Sequence, residues 1–269
     1  MKISNWQQLP DDFMFDYDQD GLAEVWEQLH AGDQYAYPLS LDDYDEDILN
    51  AQAQAWLHYH NGDYQAAATI GLELHEHGAV VLAKSVAAYC DYLCEDEDEV
   101  LNILAATIEI TEQAAENLPE CANAHFVNAL LMGRYSQRIS ITKALSQGLG
   151  GKIKSYLETA LELQPKHAEA HTAMGLYHAE IIDKIGSMIG GLTYGAKKPI
   201  AMQHFKKSLE LTPDAPITAI EFANGLILLE GDKAMDRASE LYQQASECEA
   251  LDALQNCDIS FAQDQFEEE

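Results

Sequence analysis

The sequence predicts an all-α protein, a superhelical solenoid of about five helix pairs carrying one Gly-rich insertion. Three observations predict it. Pro119, Pro165 and Pro213 stand 46 and 48 residues apart, and each closes a helical phrase: ITEQAAENLP, KSYLETALELQP and FKKSLELTP. Each is followed by a second apolar stretch, CANAHFVNALLMG, KHAEAHTAMGLYHAE and DAPITAIEFANGLILL. A helix–turn–helix unit recurring at a near-constant period marks a repeat array, whose units bury their apolar faces mainly against one another.

Taken in order, residues 1–47 hold 13 Asp or Glu and one Lys. Trp6, Phe13, Phe15, Tyr17 and Trp26 are interleaved with them, so this acidic segment is expected to pack onto the body, since a disordered tail is poorer in aromatics. The first helical pair is ILNAQAQAWLHYHNGDYQAAATIGLELHEHG, broken at Asn61-Gly62-Asp63, where Gly ends one helix and Asp caps the next. Residues 80–118 give a further pair around the acidic turn from Glu95 to Glu99. Ala122, Ala124, Phe126, Ala129 and Leu130 then form an apolar stripe at helical spacing. Small residues mark the positions where helices touch: Ala114, Ala160, Gly175, Ala201, Ala223, Ala238 and Ala245. The Gly-rich stretches SQGLGGK (146–152) and IGSMIGGLTYGAKKP (185–199) read as connections, the second flexible enough to act as a lid over a groove. The organisation expected is an acidic segment 1–47, a repeat domain 48–255 and a frayed acidic tail 256–269.

Composition narrows the function. Of 269 residues 47% are hydrophobic, ample for a core, and 46 acids against 15 Lys and Arg leave a formal charge of −31. That field repels nucleic acid and anionic membrane as main partners. No run of about 18 apolar residues is present to cross a bilayer, and MKISNWQQLPDDFMFDYDQD lacks the apolar core of a signal peptide. Five cysteines, odd in number and without a CxxC pair, read as reduced thiols. A cytoplasmic protein is expected.

The repeat resembles the tetratricopeptide family. AEAHTAMGLYHAE carries the family's Leu-Gly-like step as Met174-Gly175, and IAMQHFKKSLELTP places Ala201, Phe205 and Pro213 at its small, aromatic and proline positions. GDYQAA, Ala160 with Pro165, and Ala238, Tyr242 and Ala245 match other units, while Ile153 and Gly71 depart from the pattern. The likeness covers roughly residues 48–250. KIKSYLETALELQPKHAEAHTAMG is also similar to the regulator of microtubule dynamics proteins and to the tetratricopeptide T-component of some periplasmic solute transporters. These resemblances imply a helical array used for binding. They place Asn123, Phe126, Val127, Leu130 and Arg134 on a concave face, followed by Glu169, Thr172, Leu176 and Glu180.

Charge is sorted along the chain. Residues 121–207 hold 11 Lys or Arg and five acids, and 121–157 hold no acid at all. Arg134, Arg138, Lys143, Lys152 and Lys154 either counter the acidic N-terminal segment or reserve a site for an acidic partner, where Arg offers a bidentate fork. His167, His171 and His178 share a helical stripe, but about 10 Å separates the last two along the axis, too far for one ion. GLGGK lacks the spacing of a phosphate loop, and no nucleophile with a base appears. The expectation is a non-catalytic adaptor, without metal or cofactor, binding a protein or peptide segment through Asn123, Phe126, Leu130, Arg134, Arg138, Thr172, Leu176 and Tyr194. The alternative is a small-ligand binder like the transporter component, with an enclosed apolar cavity.

Overall fold

Proline chemistry sets the helix boundaries. Proline forces the residue before it out of the α region, and Leu118, Gln164 and Thr212 have φ/ψ of −120/60°, −138/83° and −136/68°. Three helices therefore stop at the same kind of step, and each turn is closed alike: Cys121, His167 and Ala215 donate their N–H to the carbonyls of Leu118, Gln164 and Thr212. His125 and His171 complete two of the turns by donating Nε2–H to the carbonyls of Pro119 and Pro165, at 2.9 and 3.1 Å.

The computed structural model describes residues 3–41 and 45–267, and no strand occurs among the described residues. The fold is all-α, as predicted. The helices are α1 (Gln19–Leu29), α2 (Glu46–Asn61), α3 (Tyr64–Glu73), α4 (Ala79–Tyr92), α5 (Glu97–Asn117), α6 (Ala122–Gln137), α7 (Ile141–Ser146), α8 (Leu149–Leu163), α9 (Ala168–Ile185), α10 (Ser187–Tyr194), α11 (Lys198–Leu211), α12 (Pro216–Glu230), α13 (Met235–Ser246) and α14 (Ala253–Glu267). They fall into two compact units. The first comprises residues 1–30, 34–139 and 251–254; the second comprises 31–33, 140–250 and 255–269.

In the first unit α3 packs between α2 and α4, and α6 packs on α4 and α5. Asp96 caps α5 by accepting from the backbone N–H of Asp98 and Glu99, both at 3.0 Å, and the acids of that first turn favour the positive end of the helix dipole. The acidic N-terminal segment is tied down by its aromatics. Trp6 stacks on Tyr89 at 4.2 Å and 4°, and its backbone N–H donates to Gln65 Oε1 at 2.8 Å.

In the second unit α9 packs against α8, α11 and α12, and α12 packs against α13. Phe205 is the wedge, 1% exposed and stacked on Phe222 at 5.1 Å. Gly175 and Gly225 make room for its ring: a Cβ on either would approach ring atoms to 2.7 and 2.2 Å. Any side chain there overpacks the core.

Three expectations change. SQGLGGK is not a connection throughout, because Gly148, at φ 65°, caps α8 and the next residues form its first turn. The second Gly-rich stretch holds the helix α10 and is not simply a flexible link. Much of the tail continues α14, with Ala262 fully buried and Asp258 2% exposed; residues 268–269 lie outside the described part.

Candidate functional site

The expected strip on α6 is only partly at the surface. Asn123 and Phe126 are buried, Phe126 to 2% exposure, so the apolar base of the strip serves packing. Leu130, Arg134 and Arg138 are half-buried. Spacing of four puts both arginines on one face, and both reach Asp91 of α4. Arg134 Nε meets Asp91 Oδ2 at 2.9 Å and Arg138 meets Oδ1 at 3.2 Å. Arg138 also donates to the Cys90 carbonyl at 3.3 Å and lies 3.9 Å from Glu97. In the second unit Thr172 is buried, its hydroxyl 2.6 Å from Ser208 Oγ, and Leu176 packs on the core of α11–α13. The strip and the Thr172–Leu176 face thus hold helices together; of the expected strip, Leu130 and the edges of the two arginines are what stays accessible.

Tyr194 has a different setting. Its ring lies over Gly150 in the first turn of α8, where a Cβ would come within 2.9 Å, and its carbonyl accepts from Tyr177 Oη at 3.3 Å. Burial, with Tyr194 and Glu158 nearby, raises the Tyr177 phenol well above its usual range, so it stays a donor. Tyr194 ends α10, which is seated through Gly190: a Cβ there would meet Ile181 Cγ2 at 2.9 Å. The close approach turns Met188, Ile189 and Leu192 to solvent, at 76, 55 and 85% exposure.

A groove of about 370 Å³ opens between α11 and α13 above α12. Met202 and Leu209 of α11 with Phe222 and Leu226 of α12 make its floor; Lys206, Glu210 and Arg237 stand at its rim. Met202, Lys206 and Leu209 fall at i, i+4 and i+7, one stripe of a helix. Two of the rim charges are engaged, Glu210 by Lys207 at 3.2 Å and Arg237 by Glu240. Lys206 makes no ion pair among the described residues. The stripe was readable in FKKSLELTP and its approach; the floor from α12 was not, because it depends on how two helices meet.

Histidines form two clusters. On α9 and α11, His171 Nδ1 and His204 Nδ1 are 2.8 Å apart. His171 gives its Nε2 proton to Pro165, so its Nδ1 accepts and His204 Nδ1–H donates. His178, 3% exposed, packs 6.4 Å from His204 between ring centres, and its Nδ1 has no hydrogen-bond partner among the described residues. Burial lowers the pKa of all three. Lys154 adds to the effect at His178, and the two neighbouring rings add to it at His204; both fall to about 4. In the first unit His60 Nδ1 bonds Asp252 Oδ2 at 2.8 Å and its Nε2 lies 3.1 Å from His30 Nε2. Sequence reading missed this chain, since Asp252 lies 192 residues from His60. Among the described residues no group of three or more His, Cys, Asp or Glu is arranged to hold a metal ion. Burial pushes the Cys90 thiol up to about 12, so beside Cys94 it is an inert packing group.

No curated protein matches the sequence. A family model does: regulator of microtubule dynamics protein 1-3 matches residues 51–253, three-quarters of the chain. The helix pairs, the proline turns and the groove therefore stand within a recognised frame, and this chain belongs to the regulator of microtubule dynamics family.

Proposed function

We propose that this protein is a non-catalytic adaptor that holds a segment of another protein in the groove between α11 and α13. The groove itself carries the reading: an apolar floor with a charged rim, on which Lys206 makes no ion pair among the described residues, open to solvent, has the anatomy of a peptide-docking surface. An enclosed cavity would suit a small ligand better. Its seven lining residues include Lys, Glu and Arg but no nucleophile beside a base. The fitting segment has one or two large apolar side chains next to Asp or Glu, the first for the floor and the second for Lys206. Membership of the family supplies a setting, and proteins of the microtubule system are the first partners to try.

A display library of short random peptides tests the groove. Selection on the wild-type protein is expected to enrich an apolar residue flanked by acids, and Lys206→Glu is expected to weaken the selected peptides by about tenfold, the loss of one charge-assisted contact. Microtubule cosedimentation, with the same variant as control, tests the setting. Enrichment of unrelated sequences, or peptides that bind Lys206→Glu as tightly as the wild type, would remove the groove as the site.

A further inference from the structure

Large apolar side chains scattered singly over a surface need no explanation. Here they are gathered. Leu192, Met188 and Ile189 are the three most exposed large hydrophobics among the described residues, and all stand on α10. Their i, i+1, i+4 spacing spans about 100° of a helix, and Gly190, pressed on Ile181, anchors the helix so that this arc faces out. α7 adds Ile141 and Leu145, 44 and 47% exposed and one helical turn apart. The two helices meet the same end of α8. α7 leads into it through Gln147 and Gly148, and Tyr194 rests on Gly150.

The sequence windows that carry them are charged with one sign. Residues 140–157 and 186–200 contain Lys143, Lys152, Lys154, Lys197 and Lys198 and no acid. Lys143, Lys152, Lys197 and Lys198 are exposed, and Lys154 Nζ lies 3.8 Å from where a Gly195 Cβ would stand. Lys154 and Lys198 pair with Glu158 and Glu230, so the neighbourhood is moderately, not extremely, basic.

We propose that α7 and α10 form a peripheral docking face for an anionic lipid surface, with Met188, Ile189 and Leu192 entering the headgroup layer and Lys143, Lys152 and Lys197 lying against the anionic headgroups. An exposed apolar tip with lysines close by in the sequence inserts between headgroups, as amphipathic interfacial helices do; a partner protein would have to supply a matching hollow. The chain's charge of −31 does not forbid it. At physiological ionic strength the Debye length is about 8 Å, so remote carboxylates are screened while lysines beside the tip are not. Attachment is peripheral: among the described residues no helix is long and apolar enough to cross a membrane.

Sedimentation of the full chain with phosphatidylcholine vesicles, with and without phosphatidylserine, tests the face. Binding is expected to need phosphatidylserine, to weaken as salt rises, and to fall about tenfold or more in Leu192→Glu and in Met188→Glu. Lys206→Glu should bind vesicles as the wild type does, which separates this face from the peptide groove. Equal binding to both vesicle types, or full binding by Leu192→Glu, would overturn the proposal. So would analytical ultracentrifugation showing that Leu192→Glu dissolves a dimer while vesicles are never bound, since the tip would then join two copies of this chain.

Discussion

Arg134 of α6 and Arg138 just past its end, and Lys143 and Lys152 further along, belong to one acid-free stretch, yet they end in different surroundings. The arginines lie half-buried against Asp91 of α4. The lysines remain exposed, Lys143 on the same short helix as Ile141 and Leu145, which are exposed as well. Local sequence charge is the same in both; what differs is burial, the arginines being drawn in against Asp91 while the lysines stay at the surface. One carboxylate at Asp91 turns two cations into a structural clamp. Lys143 and Lys152 instead stand at the surface, where cations and exposed apolar side chains can meet something outside the chain. A basic window is therefore a composite signal, and only the packing partner separates its two parts.

The largest effect should come from removing the clamp's shared acid. Asp91→Ala leaves two half-buried guanidinium groups without their carboxylate and is expected to cost about 1–3 kcal/mol of stability, read from the urea midpoint at neutral pH. A double-mutant cycle with Arg134→Ala should show coupling of about 1 kcal/mol. A midpoint change below about 0.5 kcal/mol, the range of ordinary surface changes, would break the comparison at its structural side.

How much of this was readable depended on the reach of each interaction. The proline stops were legible, because the pre-proline constraint acts on the neighbouring residue alone, and Leu118, Gln164 and Thr212 obey it. The same local reach shows in His125 and His171, each six residues after a proline whose carbonyl it binds. The pairing of Gly175 with a large neighbour also followed from residue type, with Phe205 filling the space. The helix α10 did not follow, since Gly190 and Gly191 signal a loop; contact with Ile181 overrides that propensity. Nor did the partner of Arg138, 47 residues away on α4. Phe126, taken for a groove residue, is core because α4 and α5 cover the inner face of α6.

Acid sharpens the contrast from the other side. Burial, helped by Lys154 at His178 and by the neighbouring rings at His204, leaves the two with folded pKa values of about 4 against an ordinary 6.5. Between those values the unfolded chain binds more protons, so the stability these rings contribute is complete above about pH 6.5 and is lost as pH falls toward 4. Because His204 is only half-buried, about 1–2 kcal/mol between pH 7 and 4.5 is the size expected for the pair. Comparing urea midpoints of the wild type and His178→Gln at both pH values cancels the many carboxylates common to both. The variant should lose less on acidification. An equal loss in both proteins would mean that the cluster does not sense protons.

The smallest expected effect is the most discriminating. At 85 and 76% exposure Leu192 and Met188 contribute almost nothing to the core, so Leu192→Glu and Met188→Glu should leave the urea midpoint within about 0.5 kcal/mol of the wild type. Natural surfaces tolerate such side chains at a cost in solubility, and a chain with no use for them gains by replacing them. Unchanged stability together with lost vesicle binding puts α10 on the functional side of the comparison. A drop of more than about 1 kcal/mol in either variant would instead show these side chains covered by other parts of the chain in solution, and α10 would join α6 as part of the scaffold.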